Sequence, residues 1–211
     1  REVGMAEARS VPWDAAEEES RLPWLEKKGA AYPTDTMLLK RLAWTAMKAA
    51  KPEAAQAALG RIEALIPGEP FGRLLRAYLE ANLLRRPKEA AAVLEDLLDK
   101  HPQYLLGYSL LGNLYYGLRQ PAKAAAVLER AATNKPTLTM GIWGRWFPVY
   151  SLDLRRVYTL LGVVYAKDLN DVEKAVFYLG LAADLDPGYA DTYRMLGDLL
   201  YAQEKHDEAV K

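Results

Sequence analysis

The sequence predicts an all-α protein, an α-solenoid in which helical hairpins stack side by side. Apolar residues recur at three- and four-residue spacing over most of the chain, which is the spacing of one helix face. The same apolar register returns after about 34 residues, a period typical of helical repeats. No stretch alternates between apolar and polar residues with a period of two, so we expect no β-sheet.

The clearest repeat spans residues 105–138, and its register recurs on both sides. In this copy the recurring positions are held by Tyr108, Leu111, Gly112, Tyr115, Ala124, Leu128, Ala131 and Pro136. In residues 155–189 they are held by Tyr158, Leu161, Gly162, Tyr165, Ala175, Leu179, Ala182 and Pro187. Residues 36–70 and 71–104 keep the register with weaker identity, and 190–211 form a partial fifth copy. In residues 71–104, Tyr78 stands at the position that Gly112 and Gly162 hold in the other two copies.

The recurring residue types have a physical reason. Gly112 and Gly162 are expected to face a partner helix, because only a missing side chain lets two backbones approach closely. Pro102, Pro136 and Pro187 lack a backbone donor and cannot continue a helix, so each is expected to end its repeat.

This pattern resembles the tetratricopeptide repeat, a helix–turn–helix unit, and the resemblance covers residues 36–211. It implies a right-handed superhelix with a concave groove, lined by the first helix of each repeat, that binds partner proteins. Aligning the register gives the groove positions as Lys40, Trp44, Met47, Leu79, Asn82, Asn113, Tyr116, Arg156 and Arg194. One subfamily clamps the C-terminal carboxylate of heat-shock chaperones with Lys and Asn, but Trp44 and Leu79 replace the needed asparagines here.

Two segments depart from the repeats. Residues 1–35 form a non-repeat leader that contains Trp13 and Trp24, each preceded by a proline, which favours extended backbone before it. The leader either covers the first repeat as a cap or acts as a strap that inserts its tryptophans into a partner. Residues 139–154 form an insertion between the third and fourth repeats.

The insertion is rich in aromatic residues, namely Trp143, Trp146, Phe147 and Tyr150. These side chains either fill the gap between repeats or anchor a partner, because insertions in solenoids map to loops that often lie on the binding face.

Composition excludes several classes of function. The 211 residues are 51% hydrophobic, and the 28 basic and 28 acidic residues balance, which argues against a uniformly basic nucleic-acid binder. Residues 36–167 carry 19 basic and 10 acidic groups, so an acidic partner or self-association of an end on this basic middle is favoured. No apolar run is long enough to span a membrane.

Signatures of catalysis are scarce. The chain has no cysteine, and its two histidines, His101 and His206, have no second ligand at metal-binding spacing. No phosphate-binding glycine loop or nucleophile motif is present. We therefore expect no enzyme activity, no metal and no cofactor.

Two functional hypotheses remain open at this point. The first is a scaffold or adaptor that binds a protein partner through the groove, the insertion or both. The alternative is a structural accessory subunit of a larger, membrane- or envelope-associated complex, tethered by the leader. The chain begins with Arg1, which suggests a processed or trimmed start, and both a cytoplasmic and an envelope location fit the sequence.

Overall fold

The computed structural model describes residues 15–134 and 154–202, and these residues form ten helices and no strand. The helices are α1 (Ala15–Ala31), α2 (Thr36–Lys48), α3 (Pro52–Leu65), α4 (Pro70–Asn82), α5 (Pro87–Lys100), α6 (Leu105–Gly117), α7 (Pro121–Asn134), α8 (Leu154–Lys167), α9 (Val172–Leu185) and α10 (Ala190–Ala202). The all-α fold predicted from periodicity is confirmed. The chain divides between Arg85 and Arg86 into two compact units.

The first unit contains α1 to α4. Helices α2 and α3 pair as one hairpin, α4 packs on α3, and α1 packs on α2. The core of this unit includes Leu39, Leu42, Ala43, Leu59 and Ile62 of the repeat over residues 36–70. Proline occupies the first turn of both α3 and α4, where the missing donor costs nothing.

Helix α1 corrects the expectation of extended backbone around Pro23. The helix runs through this residue, and Leu22 and Leu25 on either side of it are buried. Arg61 of α3 donates from Nη2 to the carbonyl of Gly29 at 2.8 Å, which ties down the end of the helix. Tertiary packing therefore overrides the local preference of proline.

The second unit contains α5 to α10. Helices α6 and α7 form one hairpin and α8 and α9 another, while each second helix packs on the first helix of the next repeat. A Cβ atom added to Gly112 would lie 2.6 Å from Leu128 Cδ2, and one added to Gly162 would lie 2.5 Å from Leu179 Cγ. These contacts confirm that both glycines face their partner helices.

The turns inside the hairpins share a feature that the sequence did not reveal. Ala50, Arg119 and Asn170 have φ between 51° and 58°, and each lies in the turn between the two helices of its hairpin; Arg85, with φ of 57°, follows α4. The N–H of Gln120 bonds to the carbonyl of Tyr115 at 2.9 Å, the long bond that closes a helix after a left-handed residue. Only Asn170 is of a type that readily adopts this conformation.

No helix within residues 15–134 and 154–202 has the length and apolar content needed to cross a bilayer.

Candidate partner-binding site

The predicted groove positions in the first unit are mostly buried. Lys40, Trp44, Met47 and Leu79 expose between 1% and 4% of their surface. The expectation that these four side chains face an open groove is therefore not met. Burial of Lys40 is possible because its Nζ lies 2.8 Å from Glu69 Oε1.

The packing around Trp44 explains part of this burial. Its ring centre lies 5.4 Å from that of Tyr78, and Lys48 Nζ lies 4.8 Å from the Trp44 ring centre. Tyr78 is the residue that replaces the usual glycine. The register gives the helix face of each side chain, but it could not tell that large side chains would occupy the positions usually left open to a ligand. Asn82 is exposed, and its Nδ2 donates to the Tyr78 carbonyl at 3.0 Å.

The predicted positions in the second unit are more accessible. Asn113 is exposed, and its Nδ2 donates to the carbonyl of Ser109 at 2.7 Å, which orients the amide. Tyr116 on the same helix is half-buried, and Arg156 on α8 is exposed. Helix α6 lies against α8, so the structure brings these two first helices together. We name Asn113, Tyr116 and Arg156 the α6–α8 surface.

Arg194 on α10 is exposed and engaged by its own helix. Its guanidinium lies 3.6 Å from Asp191 and 3.5 Å from Asp198. Exposed pairs of this kind contribute little free energy, because solvent screens them and the long side chains lose entropy. Arg194 can therefore exchange these partners for an acidic ligand at low cost.

Of the aromatic residues predicted to bind a partner outside the groove, the structure describes one. Trp13, Trp143, Trp146, Phe147 and Tyr150 lie outside the described residues. Trp24 is described, and it lies on α1 with 59% of its surface exposed.

Two polar clusters between consecutive repeats were missed by the sequence reasoning. In the first, the hydroxyl of Tyr115 on α6 donates to Glu95 on α5, and Lys123 Nζ lies 5.3 Å from the Tyr115 ring centre. In the second, the hydroxyl of Tyr165 on α8 donates to Glu129 Oε1 on α7 at 2.5 Å. The second repeats the first one repeat later. The tyrosine register, with a glutamate in the preceding helix, was the available signal.

Lys174 of α9 completes the second cluster. Its Nζ lies 4.6 Å from the Tyr165 ring centre and donates to the Tyr165 hydroxyl at 3.1 Å. Tyr178 stacks on Tyr165 with ring centres 5.9 Å apart, and its hydroxyl lies 3.4 Å from Glu129 Oε1. The carboxylate of Glu129 on α7 therefore joins α7 to both helices of the next repeat, α8 and α9.

These contacts shift the pKa values of the groups involved. Burial and the hydrogen bond to Glu95 raise the pKa of Tyr115 to about 12. Burial, followed by the hydrogen bond to Glu129, also raises the pKa of Tyr165. The hydrogen bond to Tyr165 raises the pKa of Lys174. Tyr115, Tyr165 and Lys174 therefore stay protonated at neutral pH, and their hydrogen bonds join neighbouring helices.

The described part of the chain offers no group of three or more histidine, cysteine, aspartate or glutamate side chains that could hold a metal ion.

Arg155, 9% exposed, lies 3.3 Å from Asp186 and 4.0 Å from the Tyr189 ring centre. This arrangement joins α8 to the turn before α10.

Comparisons with known proteins agree with this architecture. A tetratricopeptide repeat family model matches residues 107–138 and 156–189. A search of curated proteins finds no match to this sequence. Similar solved structures share the fold at low sequence identity.

One such structure is MamA from Desulfovibrio magneticus RS-1, which is 22% identical, with a TM-score of 0.61 and coverage of 83% of this chain and 89% of that chain. Another is TTC0263, a thermophilic TPR protein in Thermus thermophilus, at 19% identity, a TM-score of 0.62, and 88% and 92% coverage. A third is YrrB, described as a TPR protein with an unusual peptide-binding site, at 17% identity, a TM-score of 0.59, and 88% and 86% coverage. Residues 107–138 and 156–189 thus match tetratricopeptide repeats, and the chain shares its fold with these solved tetratricopeptide repeat structures.

Proposed function

We propose that this protein is a non-catalytic scaffold or adaptor that binds a protein or peptide partner. Tetratricopeptide repeat proteins generally mediate protein–protein interaction, and YrrB is a relative in fold whose description names a peptide-binding site. The observation that carries the proposal for this chain is Asn113. Its amide is exposed and is oriented by the Ser109 carbonyl, on a helix that lies against α8.

An oriented amide is suited to a peptide partner. The side chain of asparagine has both donors and an acceptor, and a peptide backbone offers an acceptor and a donor at every residue. Because Ser109 already holds the Asn113 side chain, binding loses less rotamer entropy than it would with a free side chain. Arg156 adds a cation on the adjacent helix, which favours a partner with a carboxylate nearby.

The aromatic insertion is a second part of the same proposal. Trp143 and Trp146 lie between the third and fourth repeats in the sequence. They precede α8, which carries part of the α6–α8 surface, by about ten residues. Aromatic side chains are enriched among the residues that dominate binding energy. We propose that the insertion and the α6–α8 surface bind one partner together, and that this partner is acidic.

Affinity purification from the native source, followed by mass spectrometry, tests the proposal. The unaltered chain should recover a stoichiometric partner. Two variants should lose it, one with Trp143→Ala and Trp146→Ala, the other with Asn113→Ala and Arg156→Ala. Lys100→Ala is the control, because Lys100 is exposed and its ion pair among the described residues is with Asp96 on its own helix, at 2.7 Å.

Circular dichroism melts of all variants check that each is folded. A partner retained by both double variants, or no stoichiometric partner with the unaltered chain, would contradict the proposal.

A further inference from the structure

Three residues of the first unit form an exposed row that the repeat register does not use. Trp24 and Lys28 lie one turn apart on α1, and Tyr32 follows one turn later, directly after the helix. Trp24 is 59% exposed and Tyr32 is 58% exposed, so both rings present large apolar surfaces to solvent. We name Trp24, Lys28 and Tyr32 the α1 aromatic row.

The row lies on a fixed support. Leu22 and Leu25 of α1 are buried in the core of the first unit. Arg61 Nη2 donates to the carbonyls of Gly29 at 2.8 Å and Pro33 at 3.2 Å, so the backbone on both sides of Tyr32 is held. A rigid aromatic surface loses little entropy on binding, which is the property of a binding hot spot.

The charge of the row is positive. Lys28 Nζ lies 5.7 Å from the Trp24 ring centre and 6.0 Å from the Tyr32 ring centre. Among the residues that the structure describes, no carboxylate forms an ion pair with Lys28. Glu26 follows Trp24 by two residues, about 200° around the helix, so it lies on a different side.

We infer that the α1 aromatic row binds an acidic segment of a partner protein, in which one carboxylate lies between two large apolar side chains. The carboxylate pairs with Lys28, and the apolar side chains cover Trp24 and Tyr32. This inference rests on the proposed function of protein binding and assigns it a further surface with a defined chemistry. An anionic membrane fits less well, because membrane-binding surfaces carry clusters of about four to eight basic side chains, whereas the row contains one lysine, which matches one carboxylate.

Geometry defines the segment more closely. Eight residues at a helical rise span about 12 Å from Trp24 to Tyr32. An extended peptide covers about 13 Å in four residues, and its alternate side chains point to the same side. The sequence Phe-Ser-Asp-Ser-Phe therefore places two rings at the spacing of Trp24 and Tyr32, with the carboxylate at the height of Lys28.

The test is an NMR titration of the full chain with the amidated peptide Gly-Phe-Ser-Asp-Ser-Phe-Gly. The indole N–H peak of Trp24, assigned from its loss in Trp24→Phe, should shift and saturate. The same peptide with Asn in place of Asp should bind about threefold to fivefold more weakly, the effect of one exposed ion pair. Trp24→Ala should weaken binding roughly tenfold, as expected for a truncated hot-spot aromatic.

Lys28→Gln and Lys27→Gln form a matched pair, because they remove the same charge from adjacent exposed positions. Lys28→Gln should lower the affinity for the acidic peptide to that for the neutral one, and Lys27→Gln should have a smaller effect. Equal losses would mean general electrostatic attraction and would overturn the inference. All of these side chains are exposed, so the variants should keep the circular dichroism spectrum of the unaltered chain.

Three other results would also overturn the inference. The first is no shift of the Trp24 peak with either peptide. The second is a shift that depends on protein concentration without peptide, which would assign the row to a second copy. The third is a shift with phosphatidylglycerol vesicles but not with peptide, which would assign it to a lipid surface.

The inference and the proposed function fail separately. A partner recovered by affinity purification and lost with Asn113→Ala and Arg156→Ala would uphold the scaffold function, even if the α1 aromatic row binds no peptide.

Discussion

The hydrogen bond from Tyr115 to Glu95 predicts a specific loss of stability at high pH. The Tyr115 hydroxyl is protonated in the folded chain with a pKa of about 12, raised from 10.0 mainly by burial and then by the bond to Glu95. In the unfolded chain the hydroxyl returns to its ordinary pKa. Since the folded pKa is the higher one, the contribution to stability is complete below pH 10 and is lost as the pH rises towards 12.

The size of the loss follows from the two pKa values. Each pKa unit corresponds to about 1.4 kcal/mol, so the linkage is on the order of 3 kcal/mol above the folded pKa. At pH 11 the expected loss is about 1 kcal/mol, because most unfolded chains are ionised there and most folded chains are not.

Urea unfolding between pH 8 and pH 11 measures this effect. The free energy of unfolding of the unaltered chain should fall by about 1 kcal/mol more than that of Tyr115→Phe over this range. Tyr116→Phe, a change at the next residue, is the control and should behave as the unaltered chain does. Other tyrosines titrate in all three proteins and cancel in the comparison.

A direct titration of the Tyr115 hydroxyl tests the same prediction and can refute it. With tyrosine labelled by ¹³C at Cζ, the Tyr115 signal, identified from its loss in Tyr115→Phe, should be largely unshifted at pH 11. A titration midpoint near 10, or equal pH dependence of the unaltered chain and Tyr115→Phe, would show that the buried hydrogen bond does not hold the proton.

Three further changes are expected to alter the free energy of unfolding, measured by urea denaturation at neutral pH. Gly162→Ala should destabilise by about 2 kcal/mol because the new methyl overlaps its partner helix, whereas Gly180→Ala, with nothing within 4 Å, should stabilise by up to about 1 kcal/mol. Equal effects would contradict the close approach. Arg119→Asn should stabilise by about 0.5 kcal/mol, since asparagine tolerates the positive φ of 58° better; a loss of stability would argue against that backbone. Lys40→Ala should cost about 3 kcal/mol and the double change of Lys40→Met with Glu69→Gln much less, because only the first leaves a carboxylate without its cation. Similar losses in both would mean that the charge pair does not matter.

The all-α fold and the close approach at Gly112 and Gly162 could be predicted from the sequence. The repeats are predicted to begin at residues 36, 71, 105, 155 and 190, and helices of the structure begin at Thr36, Pro70, Leu105, Leu154 and Ala190. The fold and the close approach have a local cause. A helix face shows in the sequence as apolar residues at three- and four-residue spacing, and a close helix crossing shows as glycine at a recurring position. Both can therefore be recognised from the sequence alone.

The accessible part of the candidate site was harder to predict. A repeat register states which helix face a side chain is on, but the register is the same for Trp44, which is buried, and Asn113, which is exposed. Burial depends on the size of neighbours from other helices, such as Tyr78 beside Trp44 at 5.4 Å. Those neighbours are distant in sequence, and nothing local specifies their separation.

The division between local and tertiary information is clearest at Pro23 and Tyr165. Taken alone, the amino-acid order was enough to establish an all-α repeat protein without metal-ligand spacing, because periodicity and residue type act over one or two turns. Folding in three dimensions was needed to make Pro23 helical, since burial of Leu22 and Leu25 outweighs a local preference. It was needed equally to bring Tyr165 to Glu129, at 2.5 Å, because residues on different helices meet only after the hairpins have packed.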